Sequence, residues 1–256
     1  MPTREGYLQG IPCWVDLATV DLDRASAFYG PLLGWEFAPS DHRSGYYMAM
    51  RKGVPAAGIA KLPDPEMAPV WSTYFAVDDA DIAADRIQEA GGQLIMGPED
   101  VDGLGRLAFA KDSTGADFGV WQAGTHFGAE IVNEHGGLNW NELVTDEPGL
   151  ALDFYTRVFG HGTKTAKTPG GRGYSMLEVG DREVAGVISP RKPGGKSRWT
   201  VYFAVDDAEE AAKVASSAGA EVHFGPISQP DVGTFVGLSD PDGADFTVIQ
   251  LAAEID

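Results

Sequence analysis

The spacing of apolar and polar positions changes period repeatedly along the chain, and each change marks an element. Trp14-Val15-Asp16-Leu17-Ala18-Thr19 reads as a strand. Asp21 or Asp23 then supplies an N-cap, and Ala25, Phe28, Tyr29 and Leu32 recur at helical spacing until Gly34 closes the run. Pro31 falls inside this helix, where its missing N–H and its ring favour an early end. Tyr46 to Met50 and Ala57 to Ala60 read as short strands about a Lys52-Gly53 turn. After the proline-rich stretch from Leu62 to Pro69 the plan restarts with a strand from Trp71 to Val77. A helix capped by Asp79 follows and stops at Gly91-Gly92, and strands follow near 93–95, 106–110 and 118–122. The result is two βαβββ-like modules in the first half.

The second half repeats the first. Trp71-Ser72-Thr73-Tyr74-Phe75-Ala76-Val77-Asp78-Asp79-Ala80 returns 128 residues later as Trp199-Thr200-Val201-Tyr202-Phe203-Ala204-Val205-Asp206-Asp207-Ala208 in a chain of 256. Asp112-Ser113-Thr114-Gly115-Ala116-Asp117-Phe118 likewise returns as Asp240-Pro241-Asp242-Gly243-Ala244-Asp245-Phe246. Trp14, Leu17, Thr19 and Phe28-Tyr29 match Trp140, Leu143, Thr145 and Phe154-Tyr155 at an offset of 126. A unit of this length is domain-sized, so the expectation is a duplicated domain over residues 8–124 and 137–252, joined by 123–137. Each copy should be a curved mixed sheet of about eight strands with helices on its outer face, an α+β fold. Exchange of elements between the halves stays open.

Composition then limits the partners. Hydrophobic residues make up 43% of the chain, enough for two cores, and the net charge of −19 argues against nucleic acid and anionic membranes as partners. One cysteine, Cys13, permits no internal disulfide, and neither an apolar signal core nor a membrane-length apolar run is visible, so the expected location is the cytoplasm. A monomer and a homodimer are equally compatible with these features.

The helix entries with Phe-Tyr and a closing glycine, the Val-Asp-Asp strand ends and the terminal Asp240-Pro241-Asp242-Gly243 resemble the glyoxalase/bleomycin-resistance superfamily, also called vicinal oxygen chelate proteins, in its two-domain actinobacterial form. The resemblance spans both halves. It implies tandem domains, each of two βαβββ modules curved into a sheet cup, and in the family's enzymes a divalent metal held by inward-facing His, Gln or Glu side chains. Carried over residue by residue, the ligand positions fall on Trp14, Ser72 and Gly119 in the first half and Trp140, Thr200 and Thr247 in the second. None is a good metal ligand, and the repeat checks its own register, so no metal and no cofactor are expected.

If Trp14 and Trp140 face the cups, alternation brings Asp16 and Glu142 inward with them, and Tyr74 and Tyr202 beside Ser72 and Thr200. Tyr46 and Met48, with Tyr174 and Met176, are neighbours on the middle strands. Such cups suit a hydrophobic or aromatic small molecule. Desolvation would raise the pKa of Asp16 or Glu142, which makes them candidate general acids or bases. The same aromatics would equally serve as core filling, with the acids paired to hydroxyls or arginine. Arg106, replaced by Thr234 in the second half, is a candidate substrate anchor, and His223 beside Phe224 is a further binding candidate. His161 after Gly160 suits a helix C-terminus, Cys13 should face the helix layer, and His126 and His135 flank Glu130 and Glu134 in what reads as a surface linker. Three functions are compatible with these features: a metal-independent lyase, cyclase, hydrolase or isomerase, a non-catalytic ligand-sequestering protein, and a metal-dependent glyoxalase or ring-cleaving dioxygenase, against which the absent ligands count.

Overall fold

The computed structural model describes residues 4–40, 44–167 and 173–252. The first three residues, read above as part of a start without a signal core, lie outside that set. The first half contains β1 (Pro12–Thr19), α1 (Leu22–Leu33), β2 (Glu36–Pro39), β3 (Tyr46–Arg51), β4 (Val54–Lys61), β5 (Val70–Ala76), α2 (Ala80–Glu89), β6 (Gln93–Val101), β7 (Gly105–Lys111) and β8 (Asp117–Ala123). The second contains β9 (Leu138–Val144), α3 (Pro148–Phe159), β10 (Gly162–Lys167), β11 (Gly173–Val179), β12 (Arg182–Ile188), β13 (Arg198–Ala204), α4 (Ala208–Ser217), β14 (Glu221–Gln229), β15 (Gly233–Ser239) and β16 (Asp245–Leu251). Each half forms one mixed eight-stranded sheet, in the orders β2-β3-β4-β1-β5-β8-β7-β6 and β10-β11-β12-β9-β13-β16-β15-β14. No strand crosses from one sheet to the other among the described residues.

The helix ends follow their caps. The carboxylate of Asp21 accepts from the N–H groups of Asp23 and Arg24, and Gly34 ends α1 at φ 65°, in the left-handed region that favours glycine. Contrary to the early end expected from Pro31, α1 continues to Leu33. Pro31 lies in the last turn, where only one helical hydrogen bond is forfeited, and the buried side chains of Leu32 and Leu33 hold that turn against the core.

Although each sheet is built from one half, the cores are shared. Val15, Leu17 and the α1 residues Phe28 and Tyr29 pack with Phe203, Phe246 and α4 of the other half. Phe75, Phe118 and α2 pack with Leu143, Phe154, Tyr155 and Trp199. The sheets therefore turn their helix-bearing faces toward each other, and the cups face away.

The repeated sequence motifs meet across this junction. The Trp71 indole N–H donates to the Tyr29 hydroxyl (2.9 Å), which donates to Asp240 Oδ2 (3.0 Å). In the mirror arrangement Trp199 donates to the Tyr155 hydroxyl (2.8 Å), which donates to Asp112 Oδ2 (3.0 Å). The other oxygen of each aspartate accepts backbone N–H groups of its own turn, from Thr114 and Ala116 and from Asp242 and Ala244. Burial and the neighbouring aspartate hold both tyrosine hydroxyls well above their ordinary pKa, so they stay protonated as donors. Trp71 and Trp199, the Phe-Tyr pairs and the Asp-x-x-Gly turns thus fasten one half to the other.

Candidate functional site

The first cup opens above β1, β3, β5, β7 and β8. Trp14, Asp16, Tyr46, Met48 and Tyr74, all expected from strand parity, line a cavity there. Trp121, His126, Val101, Leu104, Leu107 and Ser40 complete the wall. The space between the walls, mouth included, is about 530 Å³, of which about 50 Å³ is reachable by the centre of a water molecule. Since one water needs roughly 10–15 Å³ on that measure, the floor holds a few waters, about the bulk of one six-membered ring. A larger flat molecule would enter edge first and extend through the mouth.

Two glycines make room for the tyrosines of the wall. A Cβ on Gly119 would lie 2.1 Å from the Tyr74 ring, and one on Gly58 would lie 1.8 Å from the Tyr46 hydroxyl. Trp14 Nε1 donates to that hydroxyl (3.0 Å), and the Tyr74 hydroxyl donates to the Asp16 carboxylate at 3.2 to 3.3 Å. Asp16 is 7% exposed. A buried carboxylate held by a tyrosine hydroxyl beside an open apolar space can accept a proton from, or return one to, a molecule placed there.

The same geometry tests the metal that the resemblance implies. Trp14 binds its own indole N–H to Tyr46, Ser72 sits opposite Asp16 on β5 outside the cavity wall, and Gly119 carries the Tyr74 ring where a ligand side chain would project. Among the described residues no group of three His, Cys, Asp or Glu side chains is placed to hold a metal ion. This donor set does not fit a divalent ion.

The second cup reproduces the pairs. Trp140 Nε1 donates to the Tyr174 hydroxyl (3.1 Å), and the Tyr202 hydroxyl donates to Glu142 Oε1 (2.9 Å). Burial, followed by the Glu142 charge, raises the Tyr174 and Tyr202 hydroxyls above their ordinary pKa. Met176 is buried on β11, Thr200 lies opposite Glu142, and Thr247 lies beside Tyr202. Ile249 stands where the first cup has Trp121.

Several expectations need correction. Arg106 does not enter the cup: its guanidinium reaches Asp81 on α2 at 3.0 Å and Asp100 on β6 at 2.9 Å, because those carboxylates offer a full fork of acceptors at the surface. His223 lies on edge strand β14 and pairs with Ser239 and Asp245, not with the second cup's tyrosines. His161 is no helix-end partner. Its Nε2 meets the Gly10 carbonyl of the other half at 2.7 Å, and burial lowers its pKa to about 4. Cys13 is displaced by a bulge between Pro12 and Trp14, so it packs with Ala129 and the aromatics of the first cup instead of the helix layer.

His126 and His135 do not meet. His135 Nδ1 accepts from the Asp206 N–H (3.1 Å), whereas His126 is a wall of the first cup. Its N–H donates to the Leu104 carbonyl (3.0 Å) and its own carbonyl accepts from Trp121 Nε1 (2.8 Å). The ring stands edge-on to Trp14, centroids 4.6 Å apart at 87°. Trp121 could have been found by extending strand parity two residues beyond Gly119. No local pattern marks His126, since the contact that places it comes from the β6–β7 turn.

The chain matches the Glyoxalase/Bleomycin resistance protein/Dioxygenase superfamily over residues 13–120 and 137–248, and it belongs to that superfamily. It is 45% identical to "Putative glyoxylase CFP32" of Mycobacterium tuberculosis, over 99% of this chain and 100% of that protein. It is 35% identical to "Anthracycline biosynthesis protein DnrV" of Streptomyces peucetius, over 96% of this chain and 94% of that one. Among solved structures it resembles the Mn(II)-bound glyoxalase from Novosphingobium aromaticivorans, with TM-score 0.70, 17% identity and coverage of 97% of this chain and 84% of that one. At that identity the likeness shows the fold. No helix among the described residues is long and apolar enough to cross a membrane.

Proposed function

We propose that the first cup binds a hydrophobic or aromatic small molecule and that Asp16 moves a proton on it without a metal, in a reaction of the lyase, cyclase or isomerase type. The observation that carries this reading is the buried Asp16–Tyr74 pair at the edge of an aromatic cavity whose metal positions are taken by Trp14, Ser72 and the ring over Gly119. The ligand loses a proton to the carboxylate, giving a neutral acid and a ligand anion, and return of that proton to a different ligand atom completes an isomerisation. Tyr74 keeps the carboxylate oriented, and the apolar walls strengthen each charge interaction inside. A biosynthetic relative named for anthracyclines supports a flat polycyclic ligand. The name of the mycobacterial relative supports glyoxalase chemistry, which the donor set does not favour.

Titration with 1,8-dihydroxyanthraquinone, followed by visible absorbance, tests the reading. Trp14→Ala should weaken binding by about 2 kcal/mol, roughly thirtyfold, as for a large aromatic anchor. Against a substrate found by screening such ring systems, Asp16→Asn should keep affinity and lose about a hundredfold or more in turnover. Binding with no turnover of any screened compound would leave a sequestering protein.

A further inference from the structure

The wall of the first cup holds a polar atom that the proposed function does not use. His126 Nε2 is out of contact with solvent and has no hydrogen-bond partner. The other polar groups on the wall are already engaged, Tyr46 by Trp14 and Tyr74 by Asp16. The imidazole stands edge-on to Trp14 and Trp121 at centroid distances of 4.6 and 5.9 Å, and its backbone is tied on both sides, so the ring is held in the wall and a turn about its own side-chain bonds is what brings Nε2 to the cavity. Its burial lowers its pKa to about 4, so near neutral pH the ring is uncharged.

We infer that the ring buried in the first cup carries a hydroxyl group and that His126 is the residue that selects it by hydrogen bonding, a specificity that rests on the proposed binding role of this cup. Nε2 of a neutral imidazole is a donor in one tautomer and an acceptor in the other. A hydroxyl matches either form, a carbonyl matches one, and a bare hydrocarbon ring matches neither. The floor has room for about one ring, so the hydroxyl of that ring meets Nε2 once the imidazole turns toward the cavity, with Asp16 on the same wall. At the repeat offset of 128 the second half has Ile249 for Trp121 and Glu254 for His126, so the histidine belongs to the first half alone.

p-Cresol and toluene differ by this one group, and both fit the floor. Their binding to the full chain is followed by the indole N–H resonances of Trp14 and Trp121 in wild type and in His126→Phe, which keeps an aromatic ring and removes both nitrogens. The expected result is that wild type prefers p-cresol by about five- to tenfold, the scale of one neutral hydrogen bond, and that His126→Phe loses this preference while toluene affinity stays within about twofold. An unchanged preference in His126→Phe overturns the inference and leaves the binding role intact. If neither compound perturbs the cup of wild type, the binding role fails and the inference with it. Should the variant not fold, imidazole nitrogen shifts of wild type decide: p-cresol but not toluene should move the His126 Nε2 resonance, and no movement with p-cresol overturns the inference.

Discussion

Removing one oxygen atom, in Tyr155→Phe, should loosen the whole molecule. The Tyr155 hydroxyl donates to Asp112 of the other half and accepts from Trp199, and its ring is fully buried. Loss of the bond to a charged carboxylate costs about 1.5–3 kcal/mol, and the Trp199 N–H left unpaired in the core costs about 1–3 kcal/mol more. The expected destabilisation is therefore about 3–5 kcal/mol, a fall in Tm of roughly 10 °C for a chain of this length. Because the relay joins the two halves, thermal unfolding should remain one transition in wild type. Tyr29→Phe, in the mirror relay with Trp71 and Asp240, should behave alike. Tyr47→Phe is the control: its hydroxyl reaches Asp23 at 3.4 Å on the surface, and its loss should cost less than about 0.5 kcal/mol. Chemical denaturation of the three variants measures this. A Tyr155→Phe loss below about 1 kcal/mol would refute the reading of the relays as the fastening between halves.

His126 and His161 are each held near pKa 4 by burial against an ordinary 6.5, so the unfolded chain binds protons that the folded chain refuses. Stability should hold above about pH 6.5, fall as pH drops toward 4 and then level, with about 3 kcal/mol at most from each ring; a denaturation series that is flat across this window would contradict the assignment. Gly119→Ala should displace the Tyr74 ring and destabilise by about 1–3 kcal/mol, because the new Cβ would lie 2.1 Å from it; an unperturbed Tyr74 spectrum would contradict this. Arg106→Ala should leave ligand affinity unchanged within about twofold, since its partners Asp81 and Asp100 lie outside the cup; titration checks it.

The sequence-based reading recovered what depends on local period and on the repeat. Asp21, Asp79 and Gly34 act where the pattern puts them, and parity from Trp14 points to Asp16 and across to Tyr74, which lie together on one cavity wall. It fell short where position is set from a distance. The helix layer is shared, so Tyr29, Tyr155 and the Asp-x-x-Gly turns read as family marks and not as partners across a junction. Arg106 sits on a cup strand by sequence, but acidic side chains on α2 and β6 draw its long side chain out to the surface. His126 joined the wall because the β6–β7 turn, with Asp102 at φ 37° and Gly103 at φ 77°, presents the Leu104 carbonyl to its N–H. One bulged residue at Cys13 reversed the face that strict alternation assigns.

The measurement that bears most directly on the account is calorimetric titration of chelator-treated protein with 1,8-dihydroxyanthraquinone, repeated on Trp14→Ala and Trp140→Ala. The account predicts binding in the absence of metal, strongly weakened in Trp14→Ala and retained at the first cup in Trp140→Ala. Binding that appears only when a divalent ion is restored, or that survives Trp14→Ala unchanged, would contradict it.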